Sequence, residues 1–346
     1  MRLPQLLVLL PGLLCASPLP LRAQAAPVGS GALCGFNVAW IQGKYMTGMG
    51  AAFDPADWQR VCARARAAEA RVIRVFLLHG MPASGVVWHP ADPRVPVGVE
   101  PGFLRNVEAI AAAARAHGLS IYWTLMDGAV PIRGLQWTQL EKDRAWNIYN
   151  DRWGIGELWR QNVLGPVLDA VHRQRDVTWA IDLLNEVEGP VERGVFRDWW
   201  PGARRFLSRL ASLARARAPG IQVTASAGWG TAPYDILLGL FDGLGLDFLD
   251  IHAYDDGGSI PLGGLLAAHA RARGMPIVLG EFGQRSERVD PALQAQVLSG
   301  FLQDADRLGF AAAFAWRLED ESPWFSFWDG TAPRPALAWF TWYATR

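Results

Sequence analysis

The stretch PGFLRNVEAIAAAARAHGLSIYWTLM, residues 101–126, carries the pattern on which the fold reading rests. Helical spacing runs from Pro101 to His117, Gly118 interrupts it, and an apolar β-rich run follows from Leu119 to Met126. The same unit recurs along the chain. Apolar β-rich runs occupy Leu33–Trp40, Val72–Leu78, Leu119–Met126, Val177–Leu184, Ile221–Ala227, Phe248–Ala253, Ile277–Phe282 and Ala312–Trp316. Helical spacing fills Pro55–Ala70, Pro101–His117, Gly156–Arg173, Phe196–Ala218, Ile236–Phe241, Pro261–Arg273, Pro291–Leu308 and Arg334–Tyr343. Gly118, Gly220, Gly274 and Gly309 each stand between a helix and the next strand, where glycine supplies a left-handed C-cap. Strands alternating with helices mean βαβ units and a parallel sheet.

Eight strand–helix pairs predict a single-domain (β/α)8 TIM barrel of the α/β class. An open doubly wound sheet fits less well, because no early strand leads into a Gly-rich phosphate loop. Gly48-Met49-Gly50 lacks the third glycine at the required spacing. The longest insertions, His79–Glu100 and Asp127–Trp153, read as non-helical and tryptophan-bearing. Both would rise over the carboxyl face of the barrel.

The 346 residues are 51% hydrophobic and 19% charged, enough for a large core, and α/β barrels often run this long as one domain. The 33 basic and 33 acidic residues balance, which argues against nucleic acid or an anionic membrane as the main partner. Only Lys44 and Lys142 are lysines, a bias of GC-rich bacterial coding. Arg2, the apolar run Leu3–Leu14 and the small residues around Ala23-Gln24-Ala25 follow the order of a secretory signal peptide. Residues 1–25 are therefore excluded from the fold, and residues 26–346 form the mature domain. The apolar run is too short to span a bilayer. Cys15 lacks the small residue that lipoprotein sites prefer before the cysteine. The expectation is a monomeric exported enzyme, periplasmic or secreted, with no stable membrane insertion. Cys34 and Cys62 would be neighbours in the barrel, either bridged or, as the preferred reading, two buried small apolar residues.

Polar residues at the carboxyl ends of barrel strands read as catalytic because they converge on one mouth. Strand four closes with Asp182-Leu-Leu-Asn185-Glu186, strand six with Asp250-Ile-His252-Ala-Tyr254, and strand seven with Leu279-Gly280-Glu281-Phe282-Gly283. Strand eight closes with Trp316-Arg317, and strand two carries Arg74. Glu186 and Glu281 thus face each other, as the two carboxyls of a glycosidase do. Glu188 and Glu192 compete for the acid role but fall in the loop.

The segments Gly35-Phe-Asn37, Arg71-Val-Ile-Arg74-Val, Leu184-Asn185-Glu186, Ile251-His252-Ala-Tyr254, Gly280-Glu281-Phe282-Gly283 and Ala315-Trp316 resemble glycoside hydrolase clan A, most closely family 5. The similarity spans nearly the whole mature chain. It implies a retaining β-glycosidase acting on a β-linked oligo- or polysaccharide (glucan, mannan or an exopolysaccharide). Glu281 would be the nucleophile, kept ionised by Arg74 and bonded by Tyr254. Glu186 would be the acid/base, and Asn185 would hold the sugar 2-hydroxyl. His252 would fix the geometry around the acid/base, and Trp316 would form the floor under the reacting sugar. Asp127 is a further expected substrate contact.

Tryptophans suit a saccharide cleft, because sugar C–H faces pack on indoles. Trp40, Trp88, Trp123, Trp137, Trp229, Trp316, Trp324 and Trp328 are the expected cleft residues. Trp58, Trp159 and Trp339 are expected to pack against the barrel. No cofactor is implied. The six histidines lack His-x-His or His-Glu-x-x-His spacing, so no metal is expected. The Asp255-Asp256 pair reads as a solvated loop rather than a calcium site. No Gly-x-Ser-x-Gly elbow is present for serine chemistry. A transglycosylase using the same residues and a non-catalytic carbohydrate-binding barrel are the alternatives; the latter predicts a missing partner in the constellation.

Overall fold

Runs that are apolar on both faces fold as strands covered on both faces, and eight of them close into a ring. The computed structural model describes residues 33–345 except 42–43, 46–48, 51–52, 79–84, 129–137, 229, 256, 286–289, 319–324, 326 and 330–331. The barrel strands are β1 (Leu33–Val38), β2 (Val72–Leu78), β3 (Ser120–Met126), β4 (Thr178–Asp182), β5, β6 (Leu249–Ala253), β7 (Ile277–Phe282) and β8 (Ala312–Ala315). Strand β5 comes in two pieces, Gln222–Thr224 and Ser226–Ala227. The first piece pairs with β4 and the second with β6, which closes the sheet; every pairing in the ring is parallel. The predicted signal segment lies outside the described residues. No described helix is long and apolar enough to cross a membrane.

The helices are α1 (Pro55–Ala67), α2 (Pro101–Ala116), α3 (Gln139–Tyr149), α4 (Ile155–Trp159), α5 (Gly165–Arg173), α6 (Glu188–Glu192), α7 (Trp199–Arg217), α8 (Ala232–Leu237), α9 (Gly263–Ala272), α10 (Pro291–Leu308) and α11 (Pro335–Ala344). A π-helical turn, Arg160–Leu164, joins α4 to α5. Asp54 caps α1 and Asp290 caps α10, each followed by proline at the first helical position. Gly118, Gly220, Gly274 and Gly309 all take positive φ, as the spacing predicts.

Three expectations need correction. The Asp127–Trp153 insertion contains α3, nucleated by a capping box in which Thr138 and Glu141 bond each other's backbone N–H. The His79–Glu100 insertion contains an antiparallel hairpin, Val86–His89 against Asp92–Val99. The expected helix at Ile236–Phe241 begins earlier, at Ala232, with Pro233 in its first turn. Cys34 and Cys62 are both buried and unbridged, and burial pushes each thiol up to about 12. They act as small apolar residues.

A small cluster of Val72, Tyr122, Ala180, Phe248, Val278, Ala312 and Phe314 fills the ring, while a larger one packs strands against helices. Large Phe314 needs an empty neighbour on β1. A Cβ on Gly35 would lie 2.3 Å from the Val72 carbonyl oxygen and 2.6 Å from the Phe314 ring. Gly35→Ala should therefore overpack the interior and cost about 1–3 kcal/mol in urea unfolding; an unchanged midpoint would contradict this packing.

Candidate active site

The register of neighbouring strands sets the site. Asn37 on β1 stands beside Arg74 on β2, and His252 on β6 beside Glu281 on β7. Arg74 is fully buried and spreads its guanidinium over several elements. Its Nη1 donates to Glu281 Oε1 at 2.7 Å and to Asn37 Oδ1 at 3.0 Å. Its Nη2 donates to Asp182 Oδ2 at 2.6 Å and to Asn185 Oδ1 at 2.7 Å. Burial opposes the charge, but Asp182 and Glu281 outweigh it and hold the Arg74 pKa well above its ordinary value. Asn37 in turn donates to the carbonyls of Gly280 and Phe314, which ties β1 to β7 and β8.

Glu281 is engaged at both oxygens. Arg74 holds Oε1, and the Tyr254 hydroxyl donates to Oε2 at 2.5 Å. Tyr254 is 37% exposed, so its ring reaches the open side of the mouth. Glu186 follows β4 with φ at +50°, a left-handed backbone that costs energy in a non-glycine residue. Its N–H donates to Ser226 Oγ at 3.2 Å. A Cβ on Gly228 would lie 2.6 Å from Glu186 Oε1 and 2.7 Å from His252 Nδ1, so glycine there leaves room for both.

His252 links the two acids. Its Nδ1 lies 3.4 Å from Glu186 Oε1 and 3.5 Å from Glu281 Oε2. Burial alone would lower its pKa, yet the Glu281 charge and the Glu186 bond leave it raised above the ordinary histidine value. Asp250 lies beneath, 3.9 Å from His252 Nε2, accepts the Tyr122 hydroxyl at 2.5 Å, and is pushed up to about 6 by burial. A Cβ on Gly280 would meet Asp250 Oδ1 at 1.9 Å, which explains the glycine before Glu281.

The structure brings together Glu186, Glu281, Arg74, Asn185, His252 and Tyr254. Asp127, an expected substrate contact, lies beside Asn185 at the same mouth. It accepts the Asn185 Nδ2 hydrogen at 2.8 Å, so it orients that amide. The second Nδ2 hydrogen of Asn185 has no partner among the described residues. Trp316 closes β8 in a small cluster with Ala39 and Phe76, its peptide to Arg317 cis. Trp40 opens a two-residue strand paired with Lys44–Tyr45, and its side chain lies outside the described set. Trp137, Trp229 and Trp324 lie outside the described residues, as does Asp256.

Other tryptophans make packing contacts. Trp123 is fully buried, its indole N–H donating to Thr178. Trp88 stacks on Trp159 at 6.1 Å with Arg144 over its ring at 3.8 Å, which seats the hairpin on α4. Arg64 covers Trp328. Conversely Trp339, expected to be packed, is 44% exposed.

Four polar residues lacked an assigned role in the sequence: Asn37, Asp182, Ser226 and Asp250. Their signal was position, since all lie on barrel strands where a buried polar side chain needs a partner. Glu188 was set aside as a loop residue. It is fully buried in α6, and its Oε2 accepts the Gly228 N–H at 3.1 Å.

Among the described residues, one group could offer ligands to a metal. Glu186, His252 and Glu281 each offer a ligand atom within 4.8 Å of the others. Arg74 and Tyr254 already donate to both oxygens of Glu281, and a fixed guanidinium beside the trio opposes a divalent cation. The donor set therefore fits a carboxylate pair better than a resident metal.

Solved structures share this architecture. A β-mannanase from the blue mussel Mytilus edulis superposes with a TM-score of 0.67, at 18% identity over 91% of this chain and 92% of that one. An endo-1,4-β-mannanase from Eisenia fetida gives 0.67 at 16% identity, covering 91% of each chain. An exo-β-1,4-mannosidase from Opitutaceae bacterium strain TAV5 gives 0.63 at 15% identity, over 91% of this chain and 59% of that one. The fold is that of these barrels. No protein-family model matches the chain, and no curated protein matches it in sequence.

Burial pushes Glu188 up to about 8 from 4.5, with Asp235 and Glu186 adding repulsion. A raised pKa means that the folded state keeps a proton the unfolded chain releases. Its contribution to stability is full below about pH 4.5 and is lost as pH rises through about 8. Wild type minus Glu188→Gln should then lose up to about 1.4 kcal/mol of unfolding free energy per pH unit in that window. Parallel pH–stability curves would contradict a neutral buried Glu188.

Proposed function

We propose that this chain is a retaining β-glycosidase that hydrolyses β-linked polysaccharide, with mannan-type chains as the first substrates to test. One observation carries the reading: an oxygen of Glu186 and an oxygen of Glu281 lie within 4.8 Å of each other across the mouth. Retaining enzymes hold their carboxyls about 5–5.5 Å apart, whereas inverting ones need about 6.5–9.5 Å to admit a water. The mannan preference draws on the barrels it superposes with, which are named β-mannanases and a β-mannosidase.

The two acids have unequal surroundings, which supports giving them different roles. Glu281 is paired with a permanent cation and a phenol, which aim its carboxylate for attack on the anomeric carbon. As the bond from Glu281 forms, the glycosidic bond breaks and Glu186 gives its proton to the departing oxygen. Glu281 is then an uncharged ester. Glu186, now a carboxylate, takes a proton from water as that oxygen attacks the same carbon and expels Glu281. Asn185 keeps an amide hydrogen for the 2-hydroxyl, a contact that strengthens as the ring gains positive charge. His252 sits between both carboxylates, and we assign it to their spacing. Export to the periplasm or medium and action as a monomer belong to the same proposal.

A panel of mannan, glucan and aryl β-glycosides should reveal hydrolysis that falls at least about 10³-fold in Glu281→Ala. Azide should restore turnover of an activated glycoside by Glu186→Ala and yield the β-glycosyl azide. A chelator should leave the rate unchanged. Full activity in Glu281→Ala would overturn the mechanism.

A further inference from the structure

On the outer flank of the barrel, the end of α3, the turn after it, Arg160 of the π-helical turn and the first half of α7 border a half-open cavity of about 690 Å³. Ligand pockets span about 300–1,000 Å³, so this one has room for one or two sugar units. The first helix after β3 is α3, and α7 lies in the connection that leaves the carboxyl end of β4, which puts the cavity on the same end of the barrel as the mouth. None of its lining residues belongs to the catalytic constellation.

Its charge is one-sided. Arg152, Arg160, Arg197, Arg205 and Arg209 line it against Asp151 and Asp198. Arg160 is only 6% exposed; its Nε and Nη2 bond Glu157, and Nη2 also reaches Asp151 at 3.2 Å. Its Nη1 is buried with no hydrogen-bond partner among the described residues. A buried guanidinium N–H without an acceptor is costly, and an oxyanion is the group that best satisfies it. Arg209 bonds Asp151, and Arg205 bonds Asp198. Arg152 lies over the Trp153 ring at 4.0 Å and has no carboxylate partner among the described residues. Helix α7, nineteen residues long, starts here without a side-chain cap, and Gly202 of its first turn lines the wall. Its positive dipole end adds to the same field.

The backbone around the cavity is unusual. Asp151 and Trp153 take φ values of +52° and +53°. Left-handed Asp151 turns its side chain back to accept the Glu157 N–H and to hold Arg160 and Arg209. Half-buried Trp146 offers a flat apolar wall beside the arginines.

We propose that this cavity is a second, non-catalytic site for an acidic saccharide unit. The arginines would hold its carboxylate, and Trp146 would pack the ring. The oxyanion part stands on the arginines alone; the saccharide part rests on the glycosidase reading. The site would tether a uronate-bearing chain beside the mouth.

Titration calorimetry of the full chain with methyl β-D-glucuronide, neutral methyl β-D-glucoside and inorganic phosphate tests this. The glucuronide should bind at least about tenfold tighter than the glucoside, and weaken as salt rises. Arg160→Met should abolish that preference. Should that variant fail to fold, the exposed pair Arg152→Gln/Arg197→Gln should weaken glucuronide binding at least about fivefold. Trp146→Ala should weaken the glucuronide and spare phosphate. Glu281→Ala should bind as wild type does, so a failure of the hydrolase reading appears in the activity panel and not here. Equal affinity for glucuronide and glucoside, phosphate binding as tight as the glucuronide, or indifference to the arginine variants would overturn the proposal.

Discussion

One buried guanidinium organises the mouth of this barrel. Arg74 is sealed from water and meets Asp182, Glu281, Asn185 and Asn37 from strands on either side of the ring. Its position is costly to create and costly to disturb. A lone buried cation would be strongly unfavourable, and each buried carboxylate beside it would be as well. Together they form a lattice with few alternative arrangements, which fixes where Glu281 points.

The Glu186 side depends on backbone conformation as well as on its His252 contact. Glu186 takes a left-handed conformation, and Gly228, having no side chain, lets Glu186 and His252 lie against it. Glu188 then holds the Gly228 N–H from behind. The two glutamates thus have unlike surroundings: Glu281 meets a permanent cation, and Glu186 meets the His252 imidazole at 3.4 Å in a space left by glycine. That difference fits the proposed division of labour between a nucleophile and an acid/base.

Much of this was legible in the chain. The eight strands were readable because each is apolar on both faces and followed by a helical stretch, and the positive-φ glycines marked the helix ends. Glu186, Glu281, Arg74, Asn185, His252 and Tyr254 were readable because strand-end polar residues converge. The insertions were harder. Pro93 and Pro96 obscured the hairpin strand Asp92–Val99, although its partner carries the Val–Val–Trp run. The Thr138–Glu141 capping box is written in the sequence, but it stands inside a tryptophan-bearing stretch with weak helical periodicity. Trp123 was misread because an indole near a strand end can face either the mouth or the helices, and only the register decides. Asp127 and Glu188 show the same limit: sequence reveals a polar group, but partners decide whether it touches substrate or positions a neighbour.

The central claim is that Glu186 and Glu281 act by double displacement at one anomeric carbon. The stereochemistry of the first-formed product tests it most directly. Proton NMR of a fresh digest, recorded before mutarotation, should show the β-anomer appearing first. Initial release of the α-anomer would mean direct attack by water and would contradict the account.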